Sequence, residues 1–230
     1  MTIANLNVTN LPTSTPVFPL SGVLLLPRGQ LPLNIFEPRY RNMTQDALSG
    51  DGIIGMVQPV SPEEVPMTSE GRIKNLDGER LSLYTAGCAG RIVSHQETPD
   101  GGYLIVLEGI SRFRLGDEIE TIRGYRRFEA DWNAYPSDQS QDQDTAIDRE
   151  ALLAAMEKYF AAHNLRADWS AIDDADNDRL VTALAMSSPF AAAEKQALLE
   201  AEDLAARCSV LTAIAEMAAH GGKFAGDRPQ

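Results

Sequence analysis

The chain has 230 residues, of which 43% are hydrophobic and 23% are charged, so it is long enough for one large globular domain or two small ones. Its formal net charge of −13 opposes general binding to nucleic acid, because an acidic protein repels phosphate backbones. The sequence has two cysteines, no apolar run near the ~20 residues that span a bilayer, and no signal-peptide pattern at its start, which predicts a cytoplasmic protein with reduced thiols.

After a polar tail predicted for residues 1–14, the segment Pro16–Tyr40 organises the chain. Short apolar runs bounded by proline and glycine predict buried strands or tight extended segments. The runs are Val17–Leu20, Val23–Leu26 and Leu31–Phe36. Pro38 then suits the first turn of a helix, and the apolar residues that follow it recur at helical spacing.

The end of the third run carries two large apolar side chains, Ile35 and Phe36. In an extended segment, alternate side chains point to opposite faces, so only one of the two is expected to be buried. We predict that Phe36 lies in the core, because buried aromatic rings contribute strongly to core stability. The alternative is that Phe36 is a surface anchor for a bound peptide. Glu37 beside Arg39 predicts a local ion pair, with a binding role as the alternative.

The following 80 residues predict further strands, separated by a loop over 58–80 and a turn at Pro99–Gly102. Tyr103–Leu107 is a continuous apolar run and is expected to be a central strand. The predicted strands are Ile53–Val57, Leu81–His95, Tyr103–Leu107, Gly109–Arg114 and Tyr125–Trp132.

A polar linker at Ser137–Asp144 separates this strand-rich part from a second part that is rich in alanine and leucine. Four helices are predicted there from apolar residues at helical spacing, and Ser188–Pro189 is the expected start of the third. The residues that mark the four helices are Leu152–Phe160, Leu180–Leu184, Leu198–Leu199 and Leu204–Ala215.

The patterns that resemble active sites lack the context that their chemistry needs. Gly50–Gly55 fits a dinucleotide-binding glycine pattern, but it follows a helix and enters a strand, the reverse of the required order. The cysteines and the three histidines have no zinc-ligand spacing, and no serine nucleophile has a nearby base. We therefore predict no catalytic residues, no metal site and no cofactor.

Several motifs, taken in order, resemble the amino-terminal substrate-binding domain of Lon protease, which also occurs in cereblon and in free-standing bacterial proteins. The resemblance covers roughly positions 15–217. Its motifs are Phe18-Pro19-Leu20, Leu26-Pro27, Leu31-Pro32-Leu33, Ile35-Phe36-Glu37-Pro38-Arg39-Tyr40, Gly87 with Gly90-Arg91-Ile92, Gly109 with Arg112-Phe113, and Lys195-Gln196-Ala197-Leu198-Leu199-Glu200.

The resemblance implies an α+β fold, with an N-terminal PUA-like β pseudo-barrel followed by a C-terminal helical subdomain. The predicted divisions are a tail over 1–14, the pseudo-barrel over 15–135, the linker over 136–144, the helical subdomain over 145–222 and a second tail over 223–230. Non-catalytic binding of an unfolded or client polypeptide is the implied function, with a cytoplasmic protease as a candidate partner and no membrane or nucleic acid.

Six residues within the matching motifs are candidates for contact with a client: Phe36, Glu37, Arg39, Tyr40, Arg91 and Arg112. Two other functions remain open from the sequence, RNA binding by the PUA-like barrel and binding of a small ligand. A basic patch would favour RNA, and its candidate residues are Arg112, Arg114, Arg123, Arg126 and Arg127. The interpretation that we favour for these arginines is that they pair with nearby carboxylates.

Overall fold

A computed structural model describes residues 11–60, 82–139, 145–166 and 175–220. These residues form one six-stranded sheet and five α-helices. The strands are β1 (Ser14–Pro19), β2 (Gln30–Ile35), β3 (Ile53–Pro59), β4 (Leu83–Glu97), β5 (Tyr103–Ile119) and β6 (Arg126–Asp131), and the helices are α1 (Pro38–Ser49), α2 (Arg149–Ala162), α3 (Asn177–Ser187), α4 (Ala192–Glu200) and α5 (Leu204–His220). The predicted α+β class is confirmed, while the PUA-like description stays a prediction.

The sheet closes on itself. Its strand order is β2-β5-β4-β3-β1-β6, and β5 also pairs with β6, so five of the strands form a ring and β2 is attached outside it. Only the β1–β3 pair is parallel. The closed ring leaves β2 as a strand with a single partner, and Pro32 suits that edge position because proline has no N–H to donate to a ladder.

Strand β5 is a single strand of 17 residues, although the sequence predicted two strands on either side of Glu108. The register between β4 and β5 shifts at Gly90, which pairs with Gly109, so an irregularity replaces the predicted break. A Cβ at Gly109 would lie 2.7 Å from the carbonyl carbon of Leu26 and closer still to its oxygen. Glycine is therefore needed there because the backbone of the β1–β2 connection crosses the strand at that point.

A continuous core joins the sheet to the helices. Buried side chains of the sheet and its connections, such as Leu26 and Leu107, belong to the same cluster as Leu152, Leu184 and Leu211 of the helices. Phe113 and Phe128 are buried in a second, smaller cluster inside the ring. The predicted division into two parts describes composition, whereas the packing is shared between them; the predicted boundaries themselves stay predictions.

One local prediction in the second part was wrong. Helix α4 begins at Ala192, three residues after the predicted start at Pro189, and the Glu194 carboxylate accepts the N–H of Ala191 at 2.7 Å. At the start of the predicted linker, a short 3₁₀ turn at Pro136–Gln139 places the Asp138 side chain in the interior. The predicted loop over 58–80 lies mostly outside the described residues, as do most of the two predicted tails.

Candidate functional site

Strand β2 ends by placing Ile35 and Phe36 in opposite environments. Ile35 is 1% exposed and belongs to the main core, whereas Phe36 is 65% exposed. The prediction that Phe36 is a core residue was wrong. The two side chains do alternate as expected for extended chain, but it is the side of Leu31, Leu33 and Ile35 that faces the helices.

The solvent-facing side of the sheet near Phe36 carries several apolar side chains. In the register between β2 and β5, Pro32 pairs with Val106 and Asn34 pairs with Leu104. Because paired residues share one face, Phe36 lies diagonally across from Leu104, which is 45% exposed. We call Pro32, Asn34, Phe36, Leu104 and Val106 the outer face.

The outer face adjoins a sheet edge. Among the described residues, β2 pairs only with β5, so its other edge has no strand partner in this part of the chain. Such an edge presents backbone N–H and C=O groups to solvent, and an added peptide strand can bond to them. The free edge of β2 and the exposed apolar side chains of the outer face together resemble the surfaces that bind extended peptides.

Charged residues lie beside Phe36. The Arg39 Nη2 and Glu37 Oε2 atoms are 3.1 Å apart, which confirms the predicted ion pair. Arg39 also lies over the ring of Tyr40, at 4.7 Å from its centroid. Arg41 approaches Gly101 in the β4–β5 turn, where a Cβ would collide with its guanidinium. These residues are partly exposed and border the outer face.

Tyr40 and Arg112 are buried, so they cannot contact a client in this structure. The Tyr40 ring packs against Phe18 at a centroid distance of 4.3 Å, and burial raises the pKa of its hydroxyl. It therefore attaches α1 to β1. Arg91 is half-buried, and its Nη1 donates to the carbonyl oxygen of Asp51 at 2.8 Å, while its buried Nε has no partner.

Arg112 connects the sheet to the helices. Its side chain is 1% exposed, and its Nη2 lies 2.8 Å from Oδ1 of Asp138, whose side chain is 6% exposed. The remaining donors reach the backbone oxygens of Leu199, Ala201 and Glu202 at the end of α4. Those carbonyls have no acceptor role within the helix, so a buried guanidinium satisfies them and complements the negative end of the helix dipole.

The predicted basic patch does not form as a free cationic surface. Arg112 is buried, Arg123 pairs with Asp46 at 3.1 Å, and Arg126 pairs with Glu118 at 2.8 Å. Arg127 donates to Ser14 on the neighbouring strand. The interpretation that these arginines pair with nearby carboxylates is thus supported for three of the five, while Arg127 bonds to a serine instead.

Two observations limit other kinds of site in the described part of the chain. No cluster of three or more histidine, cysteine, aspartate or glutamate side chains there is arranged to hold a metal ion. Nor does any helix within those residues combine the length and hydropathy of a membrane span.

Residues 14–216 match the family model of the ATP-dependent protease La (LON) substrate-binding domain. The chain belongs to this family. The match covers the sheet and all but the end of α5, so the surface around Phe36 and the Arg112 junction both lie within the family domain. The resemblance to Lon that the sequence motifs indicated is confirmed.

The curated relatives are much longer proteins. Lon protease 2 of Myxococcus xanthus is 27% identical over 115 residues, which are 50% of this chain and 13% of that protein. Lon protease 2 of Sorangium cellulosum is 27% identical over 212 residues, which are 87% of this chain and 24% of that protein. The chain thus matches the substrate-binding domain and spans about a quarter or less of these relatives.

Solved structures of the family share this fold. A Lon N-terminal domain protein from Xanthomonas campestris aligns with a TM-score of 0.58 at 22% identity and covers 88% of this chain and 98% of that one. The N-terminal domain of the Mycobacterium avium complex Lon protease aligns with the same TM-score at 18% identity. At these identities the comparison concerns the fold alone.

Two functional features escaped sequence reasoning. Leu104 belongs to an apolar run that predicted burial on both sides, but the run lies where the sheet has helices on one side only. Arg112 was expected on a surface. Its neighbours Ser111 and Phe113 are both fully buried, and this environment is set by tertiary packing that the sequence alone does not specify.

Proposed function

We propose that this domain binds unfolded or client polypeptide without acting on it chemically, and that the outer face with the free edge of β2 receives the client. The observation that carries the proposal is the 65% exposure of Phe36 beside a fully buried neighbour, in a domain of a substrate-binding family. A large apolar ring left in solvent on an ordered strand end is typical of an interaction site.

The chemistry of the surface favours an extended, apolar client. Phe36 and Leu104 can anchor side chains of a peptide, and aromatic anchors commonly provide most of the binding energy at protein interfaces. The edge of β2 can add hydrogen bonds to the peptide backbone, which are independent of its sequence. Such a combination recognises many unfolded chains, and it suits a domain that delivers substrates.

The charge of the domain favours clients over nucleic acid. A net charge of −13 repels phosphate backbones and attracts basic segments. Four of the five arginines that would form a basic patch are engaged within the fold. A polypeptide is therefore a better-supported ligand than RNA.

We place this activity in the cytoplasm, with a cytoplasmic protease as the partner that degrades what the domain binds. Proteolysis and ATP hydrolysis are proposed to reside in that partner, since the family match concerns the substrate-binding domain. On this proposal the purified chain cleaves neither casein nor ATP. Cleavage of casein or ATP that stays with the protein through further purification would refute the proposal that both activities reside in a partner.

The central experiment compares three variants in the binding of an alkylated, permanently unfolded protein. Phe36→Ala removes the exposed anchor and is expected to weaken binding by ~2 kcal/mol, or about 30-fold, with little change in thermal stability. Ile35→Ala removes a core side chain and is expected to cost ~2–5 kcal/mol of folding free energy.

The matched control is Ile122→Ala, which also truncates an exposed apolar side chain but lies on the β5–β6 connection. It is expected to bind as the parent protein does. Equal affinities for Phe36→Ala, Ile122→Ala and the parent, measured by fluorescence anisotropy, would show that the outer face is not the client site.

A further inference from the structure

A second site lies where the sheet meets the helices. A cavity of about 180 Å³, which we call the junction cavity, opens between the β1–β2 connection and the first turns of α3 and α5. This volume is many times the roughly 10–15 Å³ that one water requires. Its charged lining consists of Arg28, Arg112, Asp138, Asp178, Asp203 and Arg207.

Two of the three arginines in the junction cavity have carboxylate partners. Arg112 is bonded to Asp138 at 2.8 Å, and the Arg28 Nη1 lies 2.7 Å from Oδ2 of Asp178. The third acidic residue, Asp203, accepts the N–H of Ala206 at 2.8 Å and so caps α5. Among the described residues, Arg207 forms no ion pair, although the charged Asp203 carboxylate lies four residues before it and lines the same cavity.

Arg207 is a buried cation with unused donors. It is 5% exposed, its Nε donates to the carbonyl oxygen of Leu198 at 3.0 Å, and its buried Nη2 has no hydrogen-bond partner among the described residues. Burial, with a smaller contribution from Arg112, lowers the pKa of Arg207 to about 10, so it remains charged at neutral pH. A buried donor without an acceptor costs free energy, and more so when the donor is charged.

The position of Arg207 also favours an anion. It lies in the first turn of α5, a helix of 17 residues, at the positive end of the helix dipole; the N–H groups of Ala206 and Arg207 already bond to Asp203, so the side chain of Arg207 offers the open donor. Leu204, the first residue of that helix, lines the same cavity. A guanidinium beside a helix N-terminus matches the flat, divided charge of an oxyanion.

We propose that the junction cavity binds one small oxyanion, a carboxylate or phosphate group, through Arg207. The anion supplies the acceptor that Nη2 lacks. Because the lining comes from both the sheet and the helices, occupancy stabilises the packing of one against the other. This site uses residues separate from the outer face and does not depend on the proposed client binding.

The oxyanion could come from free inorganic phosphate or from the carboxyl terminus of a peptide. Both offer paired oxygens to a guanidinium, so the site chemistry is the same. The arms of the test separate the two sources: inorganic phosphate, acetate, and one short peptide prepared with a free carboxyl terminus and with an amidated one.

The first measurement is the melting temperature of the full chain in phosphate against chloride of equal ionic strength. A ligand that binds only the folded state raises the melting temperature in proportion to its occupancy. We expect a rise for the parent protein and a loss of at least about tenfold in phosphate affinity for Arg207→Gln. The control Arg166→Gln removes the same charge from an exposed position and is expected to keep the rise.

A second measurement guards against a poorly folded Arg207→Gln. In ¹H–¹⁵N spectra of the parent protein, phosphate is expected to shift the backbone amides of Leu204 and Arg207 and the Arg207 Nε–H signal. Binding of the free-carboxyl peptide but not the amide assigns the source to a peptide terminus, and binding of phosphate without the peptide assigns it to a free anion; either result supports the site. The proposal is overturned if phosphate leaves these signals and the melting temperature unchanged, or if it stabilises Arg207→Gln as much as Arg166→Gln.

Discussion

Replacing Arg112 by methionine tests the junction between the sheet and the helices. Methionine keeps much of the volume of the side chain but removes every donor. The change leaves the Asp138 carboxylate, 6% exposed, without its guanidinium, and leaves the carbonyl oxygens of Leu199 and Ala201 without the donor that Arg112 provides. Removing one partner of a buried ion pair typically costs ~3–5 kcal/mol.

That loss would be about a fifth or more of the total stability if the domain has the ~5–15 kcal/mol usual for proteins of its kind. Urea unfolding followed by far-ultraviolet circular dichroism measures it as a lower midpoint with an unchanged slope. Arg114→Met is the matched control, because Arg114 lies two residues further along the same strand and is exposed. Its expected effect is within ~0.5 kcal/mol.

A double variant separates the ion pair from the helix carbonyls. Arg112→Met with Asp138→Leu removes both charges, so it is expected to lose less stability than Arg112→Met alone, because no buried carboxylate remains unpaired. The carbonyl oxygens of Leu199 and Ala201 still lack the donor that Arg112 provided, so full recovery is not expected. A loss below ~1 kcal/mol for Arg112→Met, or an equal loss for Arg114→Met, would show that this junction does not hold the two layers together.

Two further predictions concern the interior of the protein. Gly109→Ala is expected to destabilise the protein by ~1–3 kcal/mol, because its Cβ would lie 2.7 Å from the carbonyl carbon of Leu26. In the control Gly50→Ala the added Cβ meets contacts of 3.4 Å or more, so this variant should melt close to the parent protein; similar melting of the two variants would contradict the prediction. Cys88 and Cys208 are buried, and burial raises the pKa of both thiols, so a thiol reagent at neutral pH is expected to label them only after unfolding; rapid labelling of the native protein would refute their placement.

The features that the sequence predicted correctly depend on neighbouring residues. The turn at Pro99–Gly102 forms as expected, with Gly101 at a φ of 75°, and the Glu37–Arg39 pair joins residues two apart. The order of strands first and helices later follows from composition on each side of the linker. In each case the physical cause lies within a few positions of the residue concerned.

The features that the sequence did not predict concern residues whose environment is set by distant parts of the chain. The burial of the Asp138 side chain depends on its pairing with Arg112, which is 26 positions away. The other donors of Arg112 reach carbonyl oxygens 87 to 90 positions away. The choice between Ile35 and Phe36 depends on which side of β2 the helices occupy. Alternation alone specifies that the two side chains differ, and tertiary packing decides which is buried.

Two departures from a simple hydrophobic pattern are opposite in kind. Arg112 is a charged residue in the interior, and Phe36 is an aromatic residue in solvent. Arg112 has a full set of partners, so its burial is explained by the contacts it makes between layers. No such contacts account for the exposure of Phe36, and an uncompensated departure of this kind is most often found where a protein binds another molecule. Arg207 combines the two cases, because it is buried like Arg112 but its Nη2 has no hydrogen-bond partner among the described residues, and the proposed oxyanion would supply that partner.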